Sequence, residues 1–191
     1  AQPVPNLQLY FNPVSYTQTP LSARKLLSPD PFSAFLISFN ACRPTSRGEL
    51  HIGSRDPRVA PVIRPNYLST ERDLEEARAG CRLLRQIAAA SPLADVITEE
   101  LYPGPGVVSD EELLEDFRQR ADTVYHPTCT CRMGPDSREA VVDARLRAYG
   151  LDNLRIIDAS VFPTVTSGNT NAPTVMVAEK GVAMMLEDLG A

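Results

Sequence analysis

Thr123-Val124-Tyr125-His126-Pro127-Thr128-Cys129-Thr130-Cys131-Arg132-Met133-Gly134 gathers one of the chain's two histidines and two of its four cysteines into one short stretch. Its apolar residues follow neither a 3.6-residue nor a two-residue period, so it reads as a loop carrying reactive side chains. A second polar stretch, Ser167-Gly168-Asn169-Thr170-Asn171-Ala172-Pro173-Thr174, sits just before an apolar run. Pro173 suits the first position of a helix, where its missing N–H would have had no partner. The spacing of Met176, Val177, Lys180, Met184 and Glu187 then predicts an amphipathic helix from Pro173 to about Leu189. From the residues alone the picture is a polar loop together with a helix start that presents polar groups.

Size and composition bound the rest. With 191 residues, 43% of them apolar, the chain can bury a core as one large domain or two small ones. A net charge of -5 and a pI near 5.1, without a basic cluster, give no electrostatic reason to expect nucleic acid or an anionic membrane as partner. No apolar run approaches the roughly 18 residues of a membrane span, and the N-terminus lacks a signal pattern. Cys42, Cys81, Cys129 and Cys131 are too few and too unevenly spaced for a disulfide framework, which points to a reducing, cytoplasmic setting. The opening Ala1-Gln2-Pro3-Val4-Pro5 reads as chain already in progress.

Leu7 to Phe11 predicts a short strand, and the Pro/Ser/Thr-rich residues 12–33 a long loop. Phe35-Leu36-Ile37-Ser38-Phe39 and Gly48-Glu49-Leu50-His51-Ile52 read as strands, joined through Arg43-Pro44-Thr45-Ser46-Arg47-Gly48, with an antiparallel pair the simplest geometry. Pro57, Pro61 and Pro65 forbid helix and favour an extended edge segment leading into Asn66-Tyr67-Leu68. Thr70 with Asp73 resembles a capping box, and Leu74, Ala77, Cys81, Leu84 and Ala88 follow at helical spacing, predicting a helix over 71–90 with Cys81 as a packed core thiol. Ser109 with Glu112 is a stronger capping box, opening a second helix whose buried face is Leu113, Leu114, Phe117 and Ala121. The continuous apolar run Leu154-Arg155-Ile156-Ile157-Asp158 predicts a strand buried on both faces, as in a parallel sheet covered by helices.

Imidazole and thiolates suit zinc, but the single residue between Cys129 and Cys131 is tighter than the usual ligand spacing, and His51, Cys42 and Cys81 lie far off in sequence. No metal site is expected. A Cys/His nucleophile pair lacks any accompanying oxyanion loop. From the residues alone, His126 reads more readily as a hydrogen-bonded structural histidine than as a base, and Asn169 and Asn171 more readily as capping residues than as catalytic ones.

The run from His126 to Gly134, then Arg155-Ile156-Ile157-Asp158-Ala159-Ser160, then Gly168-Asn169-Thr170-Asn171-Ala172-Pro173-Thr174, resembles the C-terminal signature of the glucose–methanol–choline (GMC) oxidoreductases, above all their choline-dehydrogenase-like bacterial members. The resemblance extends upstream through Arg43-Pro44-Thr45-Ser46-Arg47-Gly48 and Pro65-Asn66-Tyr67-Leu68, so it covers nearly the whole chain in order. It implies an FAD flavoprotein that oxidises a primary alcohol to an aldehyde by passing hydride to flavin N5, an activity of the EC 1.1 class, as oxidase or dehydrogenase. By the same resemblance His126 is the general base and Asn169 hydrogen-bonds the substrate oxygen. Asp158 and Ala159 contact the flavin, and Asn169, Thr170, Asn171, Pro173 and Thr174 bring a helix N-terminus beside its ring system, where the dipole favours negative charge. Val124 and Tyr125 are expected to shape the substrate pocket. In many members a Gly stands where Cys129 does.

One family feature has no match: the Gly-x-Gly-x-x-Gly turn that holds the dinucleotide pyrophosphate is absent from the 191 residues. For the part that is present, the resemblance implies an α+β fold. Residues 1–139 would form most of the substrate-binding domain, an antiparallel sheet backed by helices. Residues 140–191 would return as a strand and helix completing a Rossmann-like FAD domain whose N-terminal part, of the same protein, is not among these residues. That part and a small-molecule alcohol are the implied partners, and these residues alone are expected to be inactive. The rival expectation is a non-catalytic binding module that keeps the fold without the cofactor.

Overall fold

The computed structural model describes residues 4–16 and 29–190. The chain divides into two units, one drawn from residues 1–6, 42–69 and 123–191, the other from residues 7–41 and 70–122. Helices and small antiparallel sheets together give the expected α+β class.

In the unit of residues 7–41 and 70–122, strand β1 (Leu7–Asn12) pairs antiparallel with β2 (Leu36–Ala41), Leu7 facing Ala41 and Asn12 facing Leu36. Most of the long loop expected between them lies outside the described residues. Its described ends are joined by a bridge between Tyr16 and Pro29 and by the Ser15 hydroxyl donating to Asp30 at 2.8 Å. Helix α1 (Glu71–Ala88) begins as the sequence predicts, with the Thr70 hydroxyl accepting the Asp73 N–H. It ends two residues early, because Pro92 disfavours helix at the residue before it and the chain has begun to leave by Ala89.

The packed face of α1 is rotated from the expected stripe. Asp73, Glu76, Ala77 and Gly80 are its buried residues, whereas Cys81 is half-buried and its thiol pKa is raised chiefly by desolvation. The cause is the close approach of β2: a Cβ on Gly80 would stand 2.2 Å from Cε2 of Phe39. The Phe39 ring in turn stacks on Phe117, centroids 5.3 Å apart and planes 24° from parallel. Phe117 belongs to α2 (Asp110–Arg120), which opens with the predicted Ser109–Glu112 capping box and buries Leu113 and Leu114. Burying each of these leucines contributes about 1.5–3 kcal/mol. Between the helices, Arg85 forks onto Glu100 at 3.0 and 3.1 Å and also donates to the carbonyls of Gly104 and Val107, which ties down the connecting loop.

In the other unit, β3 (Glu49–His51) pairs antiparallel with β4 (Val62–Arg64), a strand set between Pro61 and Pro65 as the proline spacing suggests. This corrects the expected pairing of the strands at 35–39 and 48–52. The edge of β2 is taken by β1, while Gly48 brings β3 so near its true partner that a Cβ there would lie 2.3 Å from the Arg64 carbonyl oxygen. The expected C-terminal strand is corrected as well: residues 154–158 make a single bridge, Arg147 with Arg155, and no strand forms. A strand buried on both faces needs hydrogen-bonding neighbours along its length, and here Ile156 N–H to Leu146 O and Ala148 N–H to Leu154 O tie it to the preceding segment, while Asp158 O, among the described residues, accepts only from the turn that follows, at Val161 N–H. Its side chains pack nonetheless. Ile156, Ile157 and Ala159, with Met133, lie against a core of Val142, Leu146, Val161, Phe162 and Val177.

Helix α3 (Asn171–Leu189) contributes Val177 to that core and passes Ile157 so closely that a Cβ on Gly181 would sit 2.9 Å from Ile157 Cγ2. It starts two residues before Pro173, which therefore occupies the third helical position. That position is still within the first turn, where a missing N–H costs nothing. At the far end Arg145 donates to the Met184 carbonyl at 3.0 Å and pairs with Glu187 and Asp188, and Arg155 also pairs with Asp188. Two cations thus meet the negative end of the helix dipole. Among the described residues no helix is long and apolar enough to cross a membrane.

Candidate active site

All three polar motifs lie in the unit that contains residues 123–191. The loop after His126 is held by its own amides: Cys131 N–H donates to Ser160 O at 3.0 Å, Met133 N–H to Val161 O at 2.8 Å, and Gly134 N–H to Val142 O at 3.0 Å. The Tyr149 hydroxyl closes on Gly134 O at 2.8 Å. The second motif is therefore the floor on which the first is laid, and Val161 and Phe162 root that floor in the core. Asp158 works as a cap there, its Oδ1 accepting the Ser160 N–H at 2.7 Å at the start of a 3-10 turn over Ala159–Val161.

Two non-glycine residues with positive φ bracket the histidine, Tyr125 at 59° and Cys129 at 72°. Left-handed backbone at both places turns the chain twice within five residues, so His126 sits on a tight projection rather than an extended strand. The Tyr125 N–H bonds to the Thr123 hydroxyl at 3.1 Å, while the Val124 and Tyr125 side chains are largely exposed. The Thr128 hydroxyl and the Cys129 thiol lie 3.1 Å apart, and all four cysteines are free. Among the described residues no group of three or more His, Cys, Asp and Glu is placed to hold a metal ion.

The contact that joins the first motif to the third is 3.0 Å long and runs between His126 Nδ1 and Thr170 Oγ1. Thr170, 7% exposed, is the N-cap of α3, yet its side chain makes no capping bond. One reason is its backbone, φ -85° and ψ -9°, where a capping residue is ordinarily extended, and the sequence holds another. An N-cap hydroxyl ordinarily accepts from the second or third helical N–H, and the third residue of α3 is Pro173, which has none. Thr170 Oγ1 turns to the imidazole instead, while its backbone carbonyl accepts both the Thr174 N–H at 3.0 Å and the Thr174 hydroxyl at 2.6 Å. Asn169 immediately precedes this contact and Asn171 follows it, so the expected site residues of the two motifs are brought to one place. The role of Thr170 as partner of the histidine is what the sequence reading missed, and a proline three residues after a threonine was the signal that could have found it.

Chemically, the arrangement offers a half-buried imidazole on a braced loop, next to a helix N-terminus whose first amides have no side-chain cap. Such amides and the dipole behind them favour negative charge. The model for GMC oxidoreductases matches residues 44–178, and the chain belongs to that family. It is 47% identical over 179 residues to the mitochondrial choline dehydrogenase of Mus musculus, covering 93% of this chain and 29% of that protein. Against the alcohol dehydrogenase [acceptor] of Pseudomonas putida it is 40% identical, covering 95% of this chain and 32% of the relative. Among solved structures, the Aspergillus oryzae formate oxidase studied for its FAD modification matches with a TM-score of 0.78 at 28% identity, over 83% of this chain and 28% of that one. The chain thus spans about three-tenths of the length of these proteins.

Proposed function

We propose that this chain is the C-terminal part of an FAD-dependent alcohol oxidoreductase that converts a primary alcohol to an aldehyde. The observation that carries the reading is the 3.0 Å contact of His126 Nδ1 with Thr170 Oγ1, because it sets an imidazole beside an uncapped helix start. The residues present fit a flavin: the first-turn amides of α3 and the polar groups of Asn169, Thr170, Asn171 and Thr174 would hold its ring system, with Asp158 and Ala159 nearby along the floor of the site and Pro173 shaping the turn. When bound, FAD supplies a hydride acceptor at N5.

The chain's own residues supply the rest. An alcohol hydroxyl is a very weak acid, so loss of hydride from its carbon requires a group that takes the hydroxyl proton, and His126 does so at Nε2, the ring nitrogen opposite the Thr170 contact. The Asn169 amide donates to the substrate oxygen as charge gathers there. Val124 and Tyr125 form part of the pocket wall. Residues 1–139 contribute most of the substrate-binding domain, and residues 140–191 return to complete the FAD domain, whose remainder is the N-terminal part of the same protein. The two names among the relatives, choline dehydrogenase and alcohol dehydrogenase, support an alcohol as substrate.

The test uses the full-length flavoprotein. His126→Ala should slow anaerobic bleaching of the flavin by an alcohol by roughly 10²–10⁴-fold, the usual contribution of a general base. An unchanged rate would remove His126 from that role. A full-length preparation with no flavin absorbance would favour a binding module without cofactor.

A further inference from the structure

Resting on the assignment of His126 as base, we propose that Thr170 is its positioning residue. The hydroxyl accepts the Nδ1–H of His126 and holds the ring in the tautomer whose Nε2 lone pair faces the substrate. A histidine's two nitrogens are not equivalent, and which one carries the proton is set by the partner of the other. A threonine hydroxyl can play either part in the 3.0 Å contact. If it donated to Nδ1, the neutral ring would carry its proton on Nε2 and meet the substrate as a donor. Taking up a second proton would then force the hydroxyl to rotate away from an N–H it had been facing. If it accepts from Nδ1–H, the same bond serves before and after the transfer: the proton moves from the substrate hydroxyl to Nε2, Nδ1 keeps its own, and nothing else moves.

Three features of the site hold this contact in place. Pro173 at the third helical position withholds the N–H that would have claimed the Thr170 oxygen. Thr170 sits in helical geometry, φ -85° and ψ -9°, and Thr174 fastens its carbonyl with two bonds, so the hydroxyl projects from a fixed backbone. Burial to 7% exposure limits exchange of the contact for water. The histidine end is equally braced through Cys131 and Met133.

The experiment is ¹⁵N NMR of the full-length flavoprotein labelled at histidine, with the His126 signal identified by its loss in His126→Gln. Wild type should show a protonated Nδ1 and a bare Nε2. Thr170→Val, which keeps the shape and removes the hydroxyl, should give a mixture of tautomers, and Thr170→Ser should restore the wild-type pattern. In stopped-flow flavin reduction Thr170→Val should lose roughly tenfold in the limiting rate, the scale of one hydrogen bond, with little change in the alcohol concentration at half-saturation, and Thr170→Ser should recover it. A wild-type signal with the proton on Nε2, or tautomer populations unmoved by Thr170→Val, would overturn the proposal. Should that variant fail to fold, Thr170→Ala is the second hydroxyl-free test, and the wild-type tautomer decides on its own. Unimpaired flavin reduction in His126→Ala would sink the base assignment while leaving the tautomer measurement standing, so the two failures are distinguishable.

Discussion

Replacing Gly80 by alanine tests the packing of the sheet-and-helix unit. The added Cβ would stand 2.2, 2.4 and 2.6 Å from Cε2, Cζ and Cδ2 of Phe39, where carbon atoms are comfortable at about 3.5–4.0 Å. The ring cannot simply withdraw, because Phe117 of α2 backs it at a centroid distance of 5.3 Å. Overpacking of this kind costs about 1–3 kcal/mol. Against it, alanine gains about 1 kcal/mol over glycine in a helix interior. With contacts this short the clash wins, leaving a net loss of up to about 2 kcal/mol, which is a factor of up to about 30 in the opening equilibrium. Hydrogen exchange of the α1 amides in the full-length protein reads this locally. A double-mutant cycle supplies the control: with Phe39 already cut to alanine, Gly80→Ala should stabilise, since only the helix term remains. An equal penalty in both backgrounds would refute the reasoning, as would α1 amides that exchange more slowly in Gly80→Ala alone.

Other expectations follow from single sites. Cys129 holds a left-handed conformation at φ 72°, so Cys129→Gly should relieve about 1 kcal/mol of backbone strain and raise the melting temperature of the full-length protein; a lower value would count against it. Asp188 is held below its ordinary value of 3.8, first by its hydrogen bond from Arg155. A depressed carboxyl stabilises above its unfolded value, so the end of α3 should be firm at neutral pH and loosen as the pH falls below 3.8, a loss that Asp188→Asn should abolish when carbonyl shifts of residues 184–189 are followed by NMR. Glu112 is depressed in the same sense, first by the Ser109 N–H, so Glu112→Gln should shorten α2 at neutral pH and matter least in acid, as read by amide exchange of residues 110–113.

The parts of this fold legible in the sequence are those decided by neighbours in the chain. Thr70 and Ser109 announce their helices because a cap and the amide it accepts are three residues apart. Strand partners are a different matter: nothing local told β2 to pair with β1 rather than with β3, and the choice rests on contacts such as Gly48 against the Arg64 carbonyl. The buried face of α1 was misread for the same reason, since Gly80 looks like a weak spot in a helix until Phe39 is placed over it. The run at 154–158 has the composition of a sheet centre and finds one bridge. At the site, the motifs marked His126, Asn169 and their neighbours, but the bond to Thr170 spans 44 residues and left only Pro173 as a trace in the sequence.

The polypeptide passes between its two units at residues 6/7, 41/42, 69/70 and 122/123, and this threading fixes an order of assembly. Everything required for β1, β2, α1 and α2 has left a translating ribosome's tunnel once residue 122 is out, whereas the other unit still lacks its last and largest portion. Newly made chain therefore presents the unit of β1, β2, α1 and α2 whole before the histidine loop can close onto its floor. Chain that ends at residue 122 contains none of the three polar motifs.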